Sequence, residues 1–304
     1  MTIPDRHLII VHTPPYQELS DFEAVKNKMA FRAPDIGVRI VSNLEPNDPV
    51  SLPDGPTLVF SPTELLQFRP RRGKLCVGRY YTKMDEITRL RASNIPVPET
   101  VMIGRALRLD PSTWGPVTIV KPNHGWGGAG IRLVKTTEVH RWLPASARNI
   151  PYLAQRFIHT GPYPESYRVM TVLGRPIYAR FARATERLPD DIEAMDDPST
   201  LKITSNVSAG GVVEQRTEPD AIALATRAAM VFAELPVLGV DLLRDRPTGR
   251  LYVIEVNPTG QVWHLSSEIG RKQQREFDVD YYGQFGALDV IADALVDVTR
   301  REAQ

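Results

Sequence analysis

An apolar run near the end of the chain, LYVIEVNPTG at residues 251–260, carries one carboxylate and one carboxamide. Successive side chains on a strand point to opposite faces, so Glu255 and Asn257 share one face and Tyr252, Ile254 and Val256 fill the other. An ionised Glu inside an apolar strand is costly unless a cation or hydrogen bonds compensate it. This stretch therefore predicts a strand whose polar face meets a positively charged partner.

A second short apolar run, GVDLL at residues 239–243, contains a single acid, Asp241. Carboxylates and a carboxamide offer hard oxygen ligands, and Mg²⁺ is usually held by one or two carboxylates together with phosphate oxygens and water. The alternative is two antiparallel strands with an arginine-paired Glu. The combination of the acids with Asn257 favours metal, with Asp241, Glu255 and Asn257 as the ligands.

Composition limits the class of protein and the kind of partner. The chain has 304 residues, of which 42% are hydrophobic, enough for one large or two to three small domains with a real core. Its 37 Lys and Arg nearly balance its 36 Asp and Glu, which disfavours nucleic acid or membrane and favours a small-molecule partner. The single cysteine, Cys76, excludes an internal disulfide and is expected in the core. A missing signal-peptide pattern and the lack of a long apolar run predict a cytoplasmic protein.

The first third of the chain alternates short apolar runs with a mixed, helix-like stretch. The runs at residues 7–11, 38–42 and 57–60 predict the strands of a small parallel sheet, without a glycine-rich dinucleotide fingerprint after the first. Thr82 and Asp85 form a capping-box pattern that predicts a helix beginning near Lys83.

The middle of the chain contains a long glycine loop between two predicted strands. The strand at 117–121 ends at Lys121, and PNHGWGGAG separates it from the next strand at 131–135. Glycines allow the backbone N–H groups to approach a ligand, so this hairpin is a candidate phosphate cradle, although a tight turn or a mobile tip is the alternative. Trp126 in the loop would cap a base or simply pack.

Two later strands carry arginines that either protect a sheet edge or bind anions. They are predicted at 167–172 and 176–183, and they contain Arg168 and Arg180, with Arg183 just beyond the alternating face. Residues 184–204 are polar and contain Pro and Asp, which predicts a mobile loop where a lid could lie.

The order of these parts resembles the ATP-grasp superfamily, especially its glutamate-ligase and glutathione-synthetase-like branch, over nearly the whole chain. The matching elements are Lys83, Lys121 with GWGGAG, AQRFI (154–158), SYR (166–168), Arg183, SNVSAGG (205–211), GVDLL and EVN. The resemblance implies an α/β (α+β) ATP-grasp fold. It would comprise an N-terminal α/β domain (1–80), a central subdomain with the glycine hairpin (81–160) and a C-terminal subdomain with the metal and substrate site (161–304).

The same resemblance implies roles for individual residues. ATP would contact Lys83, Lys121, Gly125, Trp126, Gly127, Gly128, Gln155, Arg156, Phe157 and Ile158. The substrate carboxylate or an acyl phosphate would contact Arg168, Arg183 and Asn206, while Asp241, Glu255 and Asn257 would hold Mg²⁺, with Mn²⁺ as an alternative. The chain departs from the family pattern at Ser166, where Asp is common, and at Arg156, where Glu is common.

The activity that the resemblance implies is ATP-dependent ligation of a carboxylate to an amine through an acyl phosphate, releasing ADP and phosphate. The acid would be a small molecule or a peptide, and the protein could be a homo-oligomer, as related ligases often are. Two alternatives stay open. One is a phosphotransferase acting on a small molecule, and the other is a non-catalytic ATP-binding regulatory protein.

Overall fold

The computed structural model describes residues 4–46, 54–125, 127–142, 151–201, 203, 211–258 and 263–304. The first sheet is formed by β1 (Arg6–His12), β2 (Ile36–Ser42), β3 (Thr57–Ser61) and β4 (Lys74–Val77). These strands are parallel, as the alternation of apolar runs predicts, and they lie in the order β2-β1-β3-β4. Cys76 is buried in this sheet, as expected.

Two helices from opposite ends of the chain cover one face of this sheet. They are α1 (Leu19–Arg32) and α6 (Ala287–Glu302). Leu8 and Ile10 of the sheet share one buried cluster with Phe22 of α1 and with Ile291 and Leu295 of α6. The C-terminal helix therefore completes the core of the N-terminal sheet. Within the described ranges, no helix is both long and apolar enough to span a membrane.

The second sheet is antiparallel and carries the glycine hairpin. Its strands are β5 (Thr100–Met102), β6 (Val117–Pro122), β7 (Arg132–Lys135) and β8 (Tyr152–Arg156), in the order β5-β8-β6-β7. In the chain, helix α2 (Lys83–Ala92) precedes these strands, and the short α3 (Pro111–Trp114) lies between β5 and β6. The Thr82 hydroxyl accepts a hydrogen bond from the Asp85 N–H at 3.1 Å, which is the predicted cap.

The third sheet is also antiparallel and holds the predicted metal strands. Its strands are β9 (Glu165–Val172), β10 (Arg175–Arg183), β11 (Val212–Gln215), β12 (Val237–Arg244) and β13 (Leu251–Asn257), in the order β11-β10-β9-β12-β13. Helix α4 (Pro219–Met230) packs on one face of this sheet, where Val169, Phe181 and Val240 are buried with Ala225 and Ala229. The opposite face carries Arg168 and, further along β9, Met170 and Val172, which are buried in the cluster of the first sheet.

A β-bulge corrects the simple alternation expected for β13. Asp241 pairs with Glu255, but the next residue, Leu242, pairs with Val253, so the register shifts at this point. Because of the extra residue, Ile254 and Glu255 both line the cavity described below, whereas Val253 and Val256 enter the core. The bulge is a local feature of pairing that the alternation of apolar residues did not indicate.

The segment predicted as a mobile loop is instead packed against the second sheet. We call residues 184–201 and 203 the strap. It forms short 3₁₀ turns at Ile192–Ala194 and Pro198–Thr200. Leu188 and Ile192 are buried in one cluster with Val117 and Leu133. The few apolar residues of the strap thus pack on one surface of the second sheet.

A buried carboxylate joins α1 to the segment that follows β13. Asp21 accepts hydrogen bonds from Trp263 Nε1 at 2.8 Å, Ser266 Oγ at 2.6 Å and Tyr282 OH at 2.7 Å. Trp263 and its neighbour His264 are both buried. Helix α5 (Glu268–Phe277), which the sequence analysis missed, follows directly.

We predict that Asp21→Ala lowers the free energy of unfolding by about 3 kcal/mol, because it leaves two buried donors and the half-buried Tyr282 hydroxyl without an acceptor. Urea unfolding monitored by tryptophan fluorescence measures the change. The matched control is Asp293→Ala, whose side chain is 53% exposed on α6, and its effect should stay within about 0.5 kcal/mol. Equal effects for both variants would contradict a joining role for Asp21.

Candidate active site

A cavity lies between the second and third sheets, with an apolar end and a charged end. The apolar end receives side chains from both sheets and from the strap, namely Ile119, Phe157, Leu188, Ile203, Leu243 and Ile254. The charged end is formed by Lys121, Arg168, Arg180, Asp241, Glu255 and Asn257. Such a cavity can hold a ligand with a flat apolar part and an anionic part.

Four charged residues form a row across adjacent strands of the third sheet. Arg180 of β10 lies opposite Arg168 of β9, Arg168 lies opposite Asp241 of β12, and Asp241 lies opposite Glu255 of β13. All four line the cavity. We call this set the charged row. Its two cations occupy one end and its two carboxylates the other, so the floor of the cavity changes sign along its length.

The centre of the charged row is a two-pronged ion pair. Arg168 donates from Nε and Nη2 to the two oxygens of Asp241, each at 2.6 Å. Burial opposes the charge on Arg168, but the neighbouring Asp241 outweighs it and raises the pKa of the guanidinium. Asn257 Nδ2 also donates to Asp241, at 3.1 Å. The strand pattern left an arginine-paired Glu as the alternative, but the arginine pairs with Asp241 and Glu255 pairs with Lys83.

Lys83 closes the carboxylate end of the row. Its ammonium group pairs with Glu255 and donates to the backbone oxygen of Gly125 at 2.7 Å. A lysine in the first turn of a helix gains nothing from the helix dipole. The two contacts with Glu255 and Gly125 therefore account for the position of Lys83. Lys83 thereby links α2, the glycine hairpin and β13.

Lys121 is buried beneath the glycine hairpin. It donates to Gln155 Oε1 at 3.0 Å and to the backbone oxygen of Ile254 at 3.2 Å. Its partners are neutral oxygens, so burial lowers the pKa of the ammonium to about 8. The group is therefore still mainly protonated at neutral pH and can bind an anion that enters the cavity.

Glu86 is a buried acid behind the site that the sequence patterns did not indicate. Its carboxyl accepts a hydrogen bond from the Val256 N–H at 3.4 Å, between the two proposed metal ligands of β13. Burial and the neighbouring Glu255 raise the pKa of Glu86 to about 8. The only sequence signal was its position one helical turn after Lys83, which places both side chains on one face of α2.

Most of the predicted ATP and metal residues lie together. Those that line the cavity are Lys121, Gly127, Gly128, Gln155, Arg156, Phe157, Ile158, Asp241, Glu255 and Asn257. Lys83 and Gly125 adjoin it through the contacts described above. At the two departures from the family pattern, Ser166 lines the cavity and Arg156 donates to Tyr252 OH at 3.1 Å.

Of the predicted substrate residues that the structure describes, one lines the cavity and one does not. Arg168 lies at the cavity, but Arg183 does not line it. Arg183 is at the exposed end of β10, with its guanidinium 5.7 Å from the centre of the Tyr163 ring. Arg180, three residues earlier, lines the cavity instead. It is two residues from Ala182, which also lines the cavity, so the two side chains share one face of β10. Asn206 and Trp126 lie outside the described residues.

The oxygen donors of the carboxylate end fit a hard divalent cation. Asp241 and Glu255 are neighbours across the β12–β13 ladder, and Asn257 contacts Asp241. Among the described residues no group of three or more His, Cys, Asp or Glu side chains could hold a metal. Two carboxylates and a carboxamide are nonetheless the usual protein share of a Mg²⁺ site that a nucleotide completes.

Comparison with known proteins identifies the family. The sequence model of the ATP-grasp domain matches residues 81–261, which is more than half of the chain. The chain therefore belongs to the ATP-grasp family. No curated protein sequence matches it.

Solved structures of ATP-grasp proteins share the fold at low sequence identity. The D-cycloserine synthetase DcsG superimposes with a TM-score of 0.54 at 13% identity, covering 95% of this chain and 99% of DcsG. The ATP-grasp ligase PsnB, complexed with precursor peptide PsnA2 and AMPPNP, gives a TM-score of 0.52 at 16% identity. That comparison covers 98% of this chain and 99% of PsnB. The α/β architecture with three sheets is thus an ATP-grasp fold.

We predict that Lys83→Met increases hydrogen exchange at Gly125, Gly127 and Gly128, because the side chain no longer ties the hairpin to Glu255. Hydrogen–deuterium exchange read by mass spectrometry measures this without substrate. Arg91→Met is the matched control, since Arg91 lies on the same helix and pairs with Glu99 away from the cavity. Unchanged exchange at the glycines in Lys83→Met would contradict the tethering role.

Proposed function

We propose that this protein is an ATP-dependent ligase that joins a carboxylate to an amine through an acyl phosphate, releasing ADP and phosphate. The observation that carries the proposal is the charged row, which lies in one cavity with Lys121 and the glycine hairpin. Phosphoryl transfer to a carboxylate brings several anions together, so it requires cations at fixed positions on both sides of the reacting atoms.

The nucleotide would lie along the length of the cavity. Its base would enter the apolar end, bordered by the strand segment from Gln155 to Ile158, and its phosphates would meet Lys83 and Lys121. Gly127 and Gly128 line the cavity with φ values of 68° and 78°, a backbone shape that glycine adopts readily. Glycine at these two positions lets the backbone come close to a phosphate, which supports a cradle rather than a simple tight turn.

Asp241, Glu255 and Asn257 would hold Mg²⁺, with Mn²⁺ as an alternative. The ion would supply charge neutralisation at the phosphates. Glu255 pairs with Lys83 and Asp241 with Arg168, so the carboxylates are neutralised by cations of the chain itself. Lys83 could turn toward phosphate oxygens while Glu255 binds the ion, whereas Arg168 would stay paired with Asp241.

The acid substrate would lie over Arg168, near the middle of the charged row. Its carboxylate would attack the γ-phosphate, and the amine would then displace phosphate from the acyl phosphate to form the amide. This route requires no nucleophile from the protein, and the only cysteine, Cys76, is buried in the first sheet. Asn206 stays a candidate for the same substrate from the sequence resemblance, whereas the position of Arg183 favours a role outside the cavity.

The known structures support the reaction class but not a particular substrate. One similar ligase, PsnB, was solved with a peptide precursor, and another relative, DcsG, is a synthetase of the small molecule D-cycloserine. Either a small molecule or a peptide therefore suits the acid or amine position here. The near-balanced charge of the chain, formally +1, gives no general attraction to nucleic acid.

The test is ATP turnover with Mg²⁺ and pooled carboxylates and amines, with hydroxylamine added to trap an acyl phosphate as a hydroxamate. We predict that ADP, phosphate and a hydroxamate form. Lys121→Ala and Glu255→Gln should each lower turnover by about 10²- to 10³-fold, because each removes a preorganised charge contact. Lys74→Ala, an exposed lysine on β4, is the control and should keep normal turnover.

Other products would contradict the ligase. A phosphorylated acceptor without free phosphate would identify a phosphotransferase, and tight ATP binding without any product would indicate a regulatory protein. Near-normal turnover in both Lys121→Ala and Glu255→Gln would show that the chemistry takes place elsewhere.

A further inference from the structure

Arg180 is a buried cation for which the described part of the chain provides no counter-ion. Its residue is 7% exposed, and its guanidinium lines the cavity. The Nε and Nη1 atoms are buried and have no hydrogen-bond acceptor among the described residues. Buried polar groups in proteins are nearly always hydrogen-bonded, so an unsatisfied guanidinium at a cavity wall indicates a group that a ligand completes.

The neighbours of Arg180 increase the free-energy cost of burying its charge. Arg168 lies directly opposite on β9, and like charges in that relation repel each other. The nearest carboxylate of the charged row, Asp241, uses both oxygens for Arg168. On the side of Arg180 that faces the C-terminal segment, the neighbour is His264, which forms a hydrogen bond of 2.9 Å with the Tyr178 hydroxyl. Burial, and after it the two arginines, lowers the pKa of His264, so this neighbour is neutral. Nothing among these groups offsets the charge of Arg180.

Position separates Arg180 from the proposed phosphate site. Adjacent strands are about 4.8 Å apart, so Arg180 on β10 lies about 10 Å along the sheet from Asp241 on β12 and about 14 Å from Glu255 on β13. Lys83 contacts Glu255, and Lys121 contacts Ile254, both on β13. The cations proposed for the nucleotide are thus at the far end of the row, with Arg168 standing between.

We propose that Arg180 binds a second anionic group of the acid substrate, so that the substrate is at least a dianion, with one carboxylate that reacts over Arg168 and another anion that remains bound to Arg180. This inference rests on the proposed ligase function, because that function supplies the reacting carboxylate. It makes Arg180 a specificity-determining residue, since a monocarboxylate would leave a buried guanidinium without a partner.

Binding to the ATP-free protein tests the proposal without turnover. Matched pairs of probes differ by one charge: succinate and butyrate, glutarate and valerate, L-glutamate and L-glutamine. Isothermal titration should find at least one dianion that binds about tenfold or more tightly than its partner, as expected for a charge-assisted hydrogen bond. Arg180→Met should abolish that preference, and Arg180→Lys should retain part of it.

The stability of the free protein provides a second readout. Replacing an unpaired buried cation by an apolar side chain of similar volume removes a desolvation cost, so Arg180→Met should raise the melting temperature by about 2–4 °C. A purely structural arginine would instead lower it. Arg175→Met, on the exposed end of the same strand, is the control for a general effect of the substitution and should show neither change in probe preference nor a raised melting temperature.

Three results would overturn the inference. They are no preference for any dianion in the wild type, a preference that survives in Arg180→Met, or Arg180-dependent binding of inorganic phosphate alone. The last would assign Arg180 to the transferred phosphoryl group. Hydroxamate formation in the turnover assay together with no dianion preference would refute only this inference. Dianion preference without any ATP turnover would refute the ligase and leave the anion subsite.

Discussion

The ion pair between Arg168 and Asp241 is the interaction on which the arrangement of the cavity depends. It fills the middle of the charged row, and both partners use two atoms, so neither side chain is free to rotate. Because Asp241 is held, it stays beside Glu255, its partner across the β12–β13 ladder, and beside Asn257, which donates to it. Because Arg168 is held on Asp241, Arg180 opposite it keeps two buried guanidinium nitrogens without an acceptor among the described residues.

The surrounding elements keep this charged floor in place and close it from the other side. Lys83 ties the glycine hairpin to Glu255, and the Glu86 carboxyl holds the backbone of β13 at Val256. The strap packs against the second sheet and brings Leu188 to the apolar end of the cavity. Charged and apolar contacts thus connect the second and third sheets around one space, which would exclude water from the proposed acyl phosphate.

Local sequence patterns predicted much of the fold and part of the site. Apolar runs and turn residues predicted the parallel first sheet, the glycine hairpin and the strands β12 and β13, and the Thr82 cap predicted the start of α2. The same patterns failed where packing or pairing decides. The polar composition of the strap hid the few apolar residues that anchor it, and the bulge in β13 changed which face Ile254 occupies.

The sequence by itself determined which chemical groups are available, because side-chain type and strand alternation are local properties. It placed Glu255 and Asn257 on one strand and Arg168 on another, and it carried the order of parts typical of the ATP-grasp family. Only the tertiary structure decided which charges face one another. Strand register links residues far apart in the chain, so it brought Arg180, rather than Arg183, opposite Arg168 and gave the cavity its buried, unpaired cation.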